Sequence, residues 1–179
     1  MNKPYIIVVG GVSGSGKTTV SKHLSSKLGN AKAIFFDDYD FDGPSNIIDW
    51  VERGADYDEW DLDLLLKDLE VFRSDSVRYI VIDFPFAYQH AQIKEWINFA
   101  VFIDTPLDIA YARRLVRDFQ DSTAKNILLD AKNYLSTGRN GYLEMLQSIK
   151  PSSDLVIDGT LPVSKITDII LKTMSKSYS

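Results

Sequence analysis

The stretch GVSGSGKT, residues 11–18, decides how the rest of the chain is read. It satisfies G-x-x-x-x-G-K-[ST], follows the apolar run YIIVVG (5–10), and precedes a segment in which Val20, Leu24 and Leu28 recur on one helical face. Strand, glycine loop and helix in that order are the context a phosphate cradle needs, whereas an incidental lysine in a glycine-rich turn would not require it. Gly11, Gly14 and Gly16 supply conformations a Cβ would obstruct and let backbone amides approach phosphate oxygens closely. Lys17 then reaches the β- and γ-phosphates as a point charge, Thr18 offers its hydroxyl to Mg2+, and the helix N-terminus adds partial positive charge. Ser13, Ser15 and Thr19 complete the expected cradle. No Asn-Lys-x-Asp guanine-recognition motif occurs, so ATP is favoured over GTP.

Outward from the loop, short β-branched runs alternate with longer segments of helical period, the mark of an α/β fold with a parallel sheet. The expected strands are 5–10, 33–36, 79–83, 100–104 and 155–158, each apolar enough to be buried on both faces. Gly29 is the expected C-cap of the helix after the loop. In TPLD (105–108), Thr105 reads as an N-cap, Pro106 as the first helical residue and Asp108 as the far side of a capping box. Residues 106–149 read as helical with a weak point near DSTAKN (121–126), and VSKITDIILKTM (163–174) as a last amphipathic helix.

FFDDYDFDG (35–43) sets four aspartates just past the second strand. Asp37 stands at the strand's carboxyl end, outside which ligands of open α/β sheets bind. A carboxylate there can orient an acceptor hydroxyl and take its proton, with Asp38 and Tyr39 facing the same acceptor. The spacing D-x-D-x-D-G from Asp38, with Asp49 in twelfth place, also imitates a calcium loop. That reading lacks an entering helix and a final glutamate, and Asp40 and Asp42 suit a solvated turn closed by Gly43 and Pro44. Trp50, Tyr57 and Trp60 are candidates either for an aromatic wall or for the core, and His90 for the border of the pocket or for packing.

At 179 residues the chain fits one domain, roughly 100–200 residues being usual, with an acceptor-binding segment over about 37–75 and a lid over about 113–127. A formal charge of −5 argues against nonspecific binding to nucleic acid or anionic membranes, and leaves small polar substrates as partners. The absence of cysteine excludes disulfides, thiolate metal sites and a cysteine nucleophile. The N-terminal apolar run is too short and too soon broken by glycine for a signal peptide or membrane span, so a cytoplasmic location is expected.

In order along the chain, GVSGSGKTTVSKHL, FFDDY, YIVID, VFIDTPLDIAYARRLVRD and DLVIDG resemble the uridine kinase and phosphoribulokinase group of P-loop kinases, nicotinamide riboside kinases included. The resemblance covers nearly the whole length. It implies a five-stranded P-loop fold with a helical lid, and transfer of the γ-phosphoryl group of ATP, with Mg2+, to a hydroxyl of a nucleoside-like or sugar-containing acceptor. A homo-oligomer is compatible with it. By the same resemblance Asp37 matches the catalytic aspartate after the second strand, Arg114 an acceptor-contacting arginine, and Arg117 a phosphate-contacting and catalytic one. ARRLVRD (112–118) matches the lid helix, where Arg113 and Arg117, four apart, converge on a polyphosphate. On helical spacing alone Arg114 would instead pair with Asp118.

Two places depart from the group's pattern. Asp83 keeps an acid at the end of the third strand, fit to hold Mg2+ through water or to cap a turn, but Phe84 follows it where glycine is common. DFQDSTAKN (118–126) lacks the further lid arginines, for which Arg139 is a candidate substitute. These departures support a second expectation, an ATP-binding regulatory or interaction protein of the same fold without acceptor chemistry.

Overall fold

Alternation within the first strand sorts the core into two halves. In the computed structural model, which describes residues 3–177, Ile6 and Val8 join one apolar cluster, and Ile7 and Val9 another. This is the consequence of a period of two in a strand buried on both faces. That strand, β1 (Tyr5–Gly10), lies at the centre of a sheet with β2 (Ala31–Phe35), β3 (Tyr79–Asp83), β4 (Phe99–Asp104) and β5 (Leu155–Asp158). The order is β2-β3-β1-β4-β5 and every pairing is parallel.

Helices α1 (Lys17–Lys27) and α8 (Val163–Ser177) cover the face that holds Ile7 and Val9, through Val20, Leu24, Ile166, Ile170 and Met174. On the other face α2 (Ile47–Glu52), α3 (Asp63–Ser74), the short α4 (Ala91–Lys94) and α7 (Arg139–Ser152) contribute Trp50, Leu65, Leu69, Ile93 and Ile149. The expected helical stretch 106–149 is divided into α5 (Leu107–Phe119), α6 (Ala124–Asn133) and α7, with the first break at 120–123 and a π-helical turn, Tyr134–Gly138, joining α6 to α7. Thr123 caps α6 by accepting from the Asn126 N–H. No helix among the described residues is long and apolar enough to cross a membrane.

Several local expectations are corrected. β2 runs over 31–35 rather than 33–36, because Ala31 already pairs with Tyr79. The cap of α1 is Leu28 in an extended conformation, and the left-handed residue is Asn30, φ 57°, not Gly29. Asparagine tolerates that region better than most residues. Thr105 does not cap α5. Its buried hydroxyl donates to the Ser15 carbonyl at 2.9 Å, pinning the entry of α5 to the phosphate loop. Pro106 is the residue before the helix, no side-chain cap forms there, and Asp108 remains only a first-turn acid.

Phe84 explains one departure from the glycine pattern. It is fully buried, with Phe86 and Phe36 ring centroids 5.3 and 5.8 Å away, so the side chain is a core residue. Phe84→Ala is expected to cost about 3–5 kcal/mol, as large aromatic truncations in cores do. Urea denaturation measures it, with Phe84→Leu expected to fall well short of that loss.

Candidate functional site

A cavity of about 720 Å³ opens at the carboxyl ends of β1, β2 and β3. Its floor is the glycine loop. Gly16 precedes α1 at φ 102°, and Gly14 has φ 81°, where a Cβ would collide with the Ala110 carbonyl oxygen of α5. Gly14→Ala is therefore expected to combine left-handed backbone strain with a backbone clash, a loss of at least about 1–3 kcal/mol. Thermal melts with and without ATP would register it as a lower Tm and a smaller nucleotide-induced rise.

Lys17 and Thr18, the first residues of α1, are carried to the cavity by the helix start. The Lys17 ammonium donates to the Val12 carbonyl at 3.4 Å, and the Thr18 hydroxyl to Asp83 Oδ2 at 2.5 Å. Asp83 ends β3 and is 4% exposed, and its Oδ1 is buried without a hydrogen-bond partner. Burial lowers the pKa of Lys17, against the pull of Asp83 and Asp37. Burial likewise raises Asp83, against the pull of Lys17 and the Thr18 hydroxyl. A hydroxyl beside a carboxylate with one unsatisfied oxygen is a donor set that suits a hard, hydrated divalent cation such as Mg2+.

Asp37 lies in the 3₁₀ turn Phe36–Asp38 directly after β2, lines the cavity, and feels the charges of Lys17 and Arg117. Arg113 and Arg117 line it from α5, with Arg113 donating to the Gly159 carbonyl at 3.1 Å. Arg117 pairs with Asp118 at 2.6 Å and reaches Ser13 Oγ at 3.5 Å. Gly11, Ser13, Gly14, Gly16 and Thr19 also border the cavity, whereas Ser15 is buried behind it.

Three expected acceptor contacts are not brought there. Tyr39 turns its hydroxyl to Asp68 at 2.6 Å and stacks on Phe41, and the adjacent Asp38 is exposed outside the lining. Arg114 is not in the lining: it pairs with Asp130 at 2.6 Å and lies over Tyr111, and its spacing-based partner Asp118 goes to Arg117 instead. Arg139 does not reach the cavity either. Asp49, the twelfth position of the calcium-like spacing, sits in the first turn of α2, which Asn46 caps.

Much of the remaining lining is aromatic. Trp50, Tyr57 and Trp60 all belong to it, and the first two are at the same time core residues, so the two readings of these rings are compatible. Trp50 donates its indole N–H to the Asp56 carbonyl at 2.8 Å and meets Tyr57 edge-on at 5.0 Å. The Tyr57 hydroxyl sits 2.8 Å from Ser148 Oγ. His90 packs rather than bordering the cavity. Its Nδ1 accepts from the Gln92 N–H, which leaves Nε2 to donate to the Trp60 carbonyl at 2.9 Å. Phe36 and Phe86, and Tyr142 and Met145 from α7, complete a lining that no local motif announces.

A profile of the AAA domain family matches residues 7–133. The uridine kinase of Staphylococcus epidermidis is 25% identical over 186 residues, covering 88% of each chain. Among solved structures, an unliganded sugar kinase of a Janibacter species superposes with a TM-score of 0.61 at 20% identity, over 96% of this chain and 95% of that one. A gluconokinase of Sinorhizobium meliloti does so with 0.57 at 18%, over 98% and 94%. These structural likenesses carry the fold. Since the profile takes in the phosphate loop, Asp37, Asp83 and both cavity arginines, the chain belongs to the AAA domain family of P-loop proteins.

Proposed function

We propose that the chain is an ATP-dependent small-molecule kinase that transfers the γ-phosphoryl group to a hydroxyl of a nucleoside-like or sugar-containing acceptor. The observation that carries this is that Asp37 lines one cavity together with Lys17 and a set of aromatic side chains. A protein that only bound nucleotide would need the floor alone. The similarity to uridine kinases along most of the chain supports the same reading.

In this mechanism the loop amides, Lys17, Arg113 and Arg117 hold the triphosphate and balance the charge that spreads over the transferring group. Mg2+, when bound by Thr18 and by Asp83 through water, supplies further neutralisation of the phosphate oxygens. Asp37 orients the acceptor hydroxyl and takes its proton as the oxygen attacks the γ-phosphorus. The bond from that phosphorus to the bridging oxygen breaks, and ADP leaves with its electron pair. Asp38, Tyr39 and Arg114 are given no part in it, since Tyr39 and Arg114 face other partners and Asp38 is exposed outside the cavity lining. Acceptor-stimulated release of ADP, screened over nucleosides and sugars, tests the reading. At least one compound is expected to raise the rate well above that with ATP alone, and an unchanged rate across a broad panel would favour a nucleotide-binding protein without acceptor chemistry.

A further inference from the structure

We infer that His90 is a positioning residue for Asp37: by holding the Trp60 carbonyl it fixes the Trp60 ring, and with it the turn that carries the candidate base. This rests on the kinase reading above. His90 is 1% exposed and lies outside the cavity lining, yet both of its ring nitrogens are committed. Nδ1 accepts from the Gln92 N–H at 3.3 Å and caps α4, so Nε2 carries the proton and donates to the Trp60 carbonyl at 2.9 Å. Asp58 Oδ1, 3.4 Å from Nδ1, accepts instead from the Ala91 N–H at 2.7 Å. Both ends of the segment 58–60 are therefore tied to the start of α4.

Trp60 passes that placement on. Its ring centroid lies 6.0 Å from that of Phe36, edge to face, and 5.2 Å from that of Phe86. Gly43 packs so closely on the same ring that a Cβ there would come within 2.6 Å of it. Phe36 opens the 3₁₀ turn Phe36–Asp38, and its carbonyl accepts from the Tyr39 N–H at 3.2 Å to close the turn around Asp37. Close-packed side chains transmit a displacement instead of absorbing it. A misplacement of about 1 Å at a reacting group can cost about 100-fold in rate. Without the His90 donor the Trp60 carbonyl loses its partner, and the segment moves to find water or another donor.

Two substitutions divide the two tasks of the ring. His90→Asn keeps an oxygen where Nδ1 accepts from Gln92, and so keeps the cap, but it is too short to reach Trp60. His90→Gln extends its amide toward the Trp60 carbonyl and gives up the cap. The full chain labelled with 5-fluorotryptophan gives one fluorine NMR resonance for each of its three tryptophans, and Trp60→Phe identifies that of Trp60. In His90→Asn the Trp60 resonance is expected to shift or broaden while that of Trp96, just past α4, stays in place. Amide hydrogen exchange of residues 36–40 should quicken by about tenfold in the same variant. In His90→Gln the Trp60 resonance and that exchange should match the wild type. With Mg-ATP and uridine, His90→Asn should lower kcat by about tenfold with ATP affinity within about threefold, and His90→Gln should restore kcat.

An unmoved Trp60 resonance in His90→Asn, a His90→Gln variant no better than His90→Asn, or an unchanged kcat while Trp60 moves would overturn the inference. If the wild type phosphorylates neither uridine nor any other nucleoside or sugar, the kinase reading fails by itself. The resonance and the exchange then still decide whether His90 places Trp60 and the turn.

Discussion

Lys17→Ala is expected to lower kcat/KM for phosphoryl transfer by about 1,000-fold or more, the scale on which single charge-stabilising groups act in such reactions. The size follows from the position of the ammonium. It interacts with two carboxylates, Asp83 and Asp37, and burial lowers its pKa. Without it, a triphosphate arriving at the loop meets both negative charges, and only Arg113 and Arg117 remain to offset them. Asp83, already raised by burial, also loses the charge that most opposes that shift. The variant should therefore bind nucleotide weakly as well as turn over slowly. Nucleotide titration and initial rates measure the two effects, with circular dichroism to establish that the fold is retained. A kcat/KM within about threefold of the wild type would remove Lys17 from the phosphate site.

Asp37→Asn separates acceptor chemistry from nucleotide binding. The substitution preserves size and hydrogen-bonding capacity but removes the charge that accepts a proton, so kcat is expected to fall by about 100- to 10,000-fold. The affinity for ATP should stay within about threefold, because Asp37 stands on the 3₁₀ turn after β2 and not in the glycine loop. A loss confined to kcat marks an interaction of the transition state, whereas a loss shared with ATP affinity would mark a structural fault. Wild-type turnover in Asp37→Asn would exclude it as the base.

The sheet is legible in the sequence because parallel strands covered on both faces are continuous apolar runs: β1, β3 and β5 lie where YIIVVG, YIVID and LVID place them. The glycine loop is legible for a different reason, since its spacing encodes a local backbone shape. Caps are less so. Thr105 has the chemistry of an N-cap, yet a tertiary partner, the Ser15 carbonyl, takes its hydroxyl. The aromatic lining of the cavity is least legible. Tyr142 and Met145 reach the cavity only because α7 packs beside α2, about 100 residues from Asp37 in the chain. Arg114 shows the converse failure. Its helical neighbours offer Asp118, but Asp130 from α6 and the ring of Tyr111 hold it elsewhere. Phe84 breaks a glycine pattern without disturbing the site, because its ring is absorbed into the core behind Phe36 and Phe86.

The most direct test of phosphoryl transfer is to follow label from the γ-phosphate of ATP, with Mg2+ and a panel of nucleosides and sugars. Label is expected to appear as a phosphate ester on an acceptor hydroxyl, one ester for each ADP formed, and to be lost in Asp37→Asn. Label released only as inorganic phosphate across the panel, or ester formation undiminished in Asp37→Asn, would contradict the account.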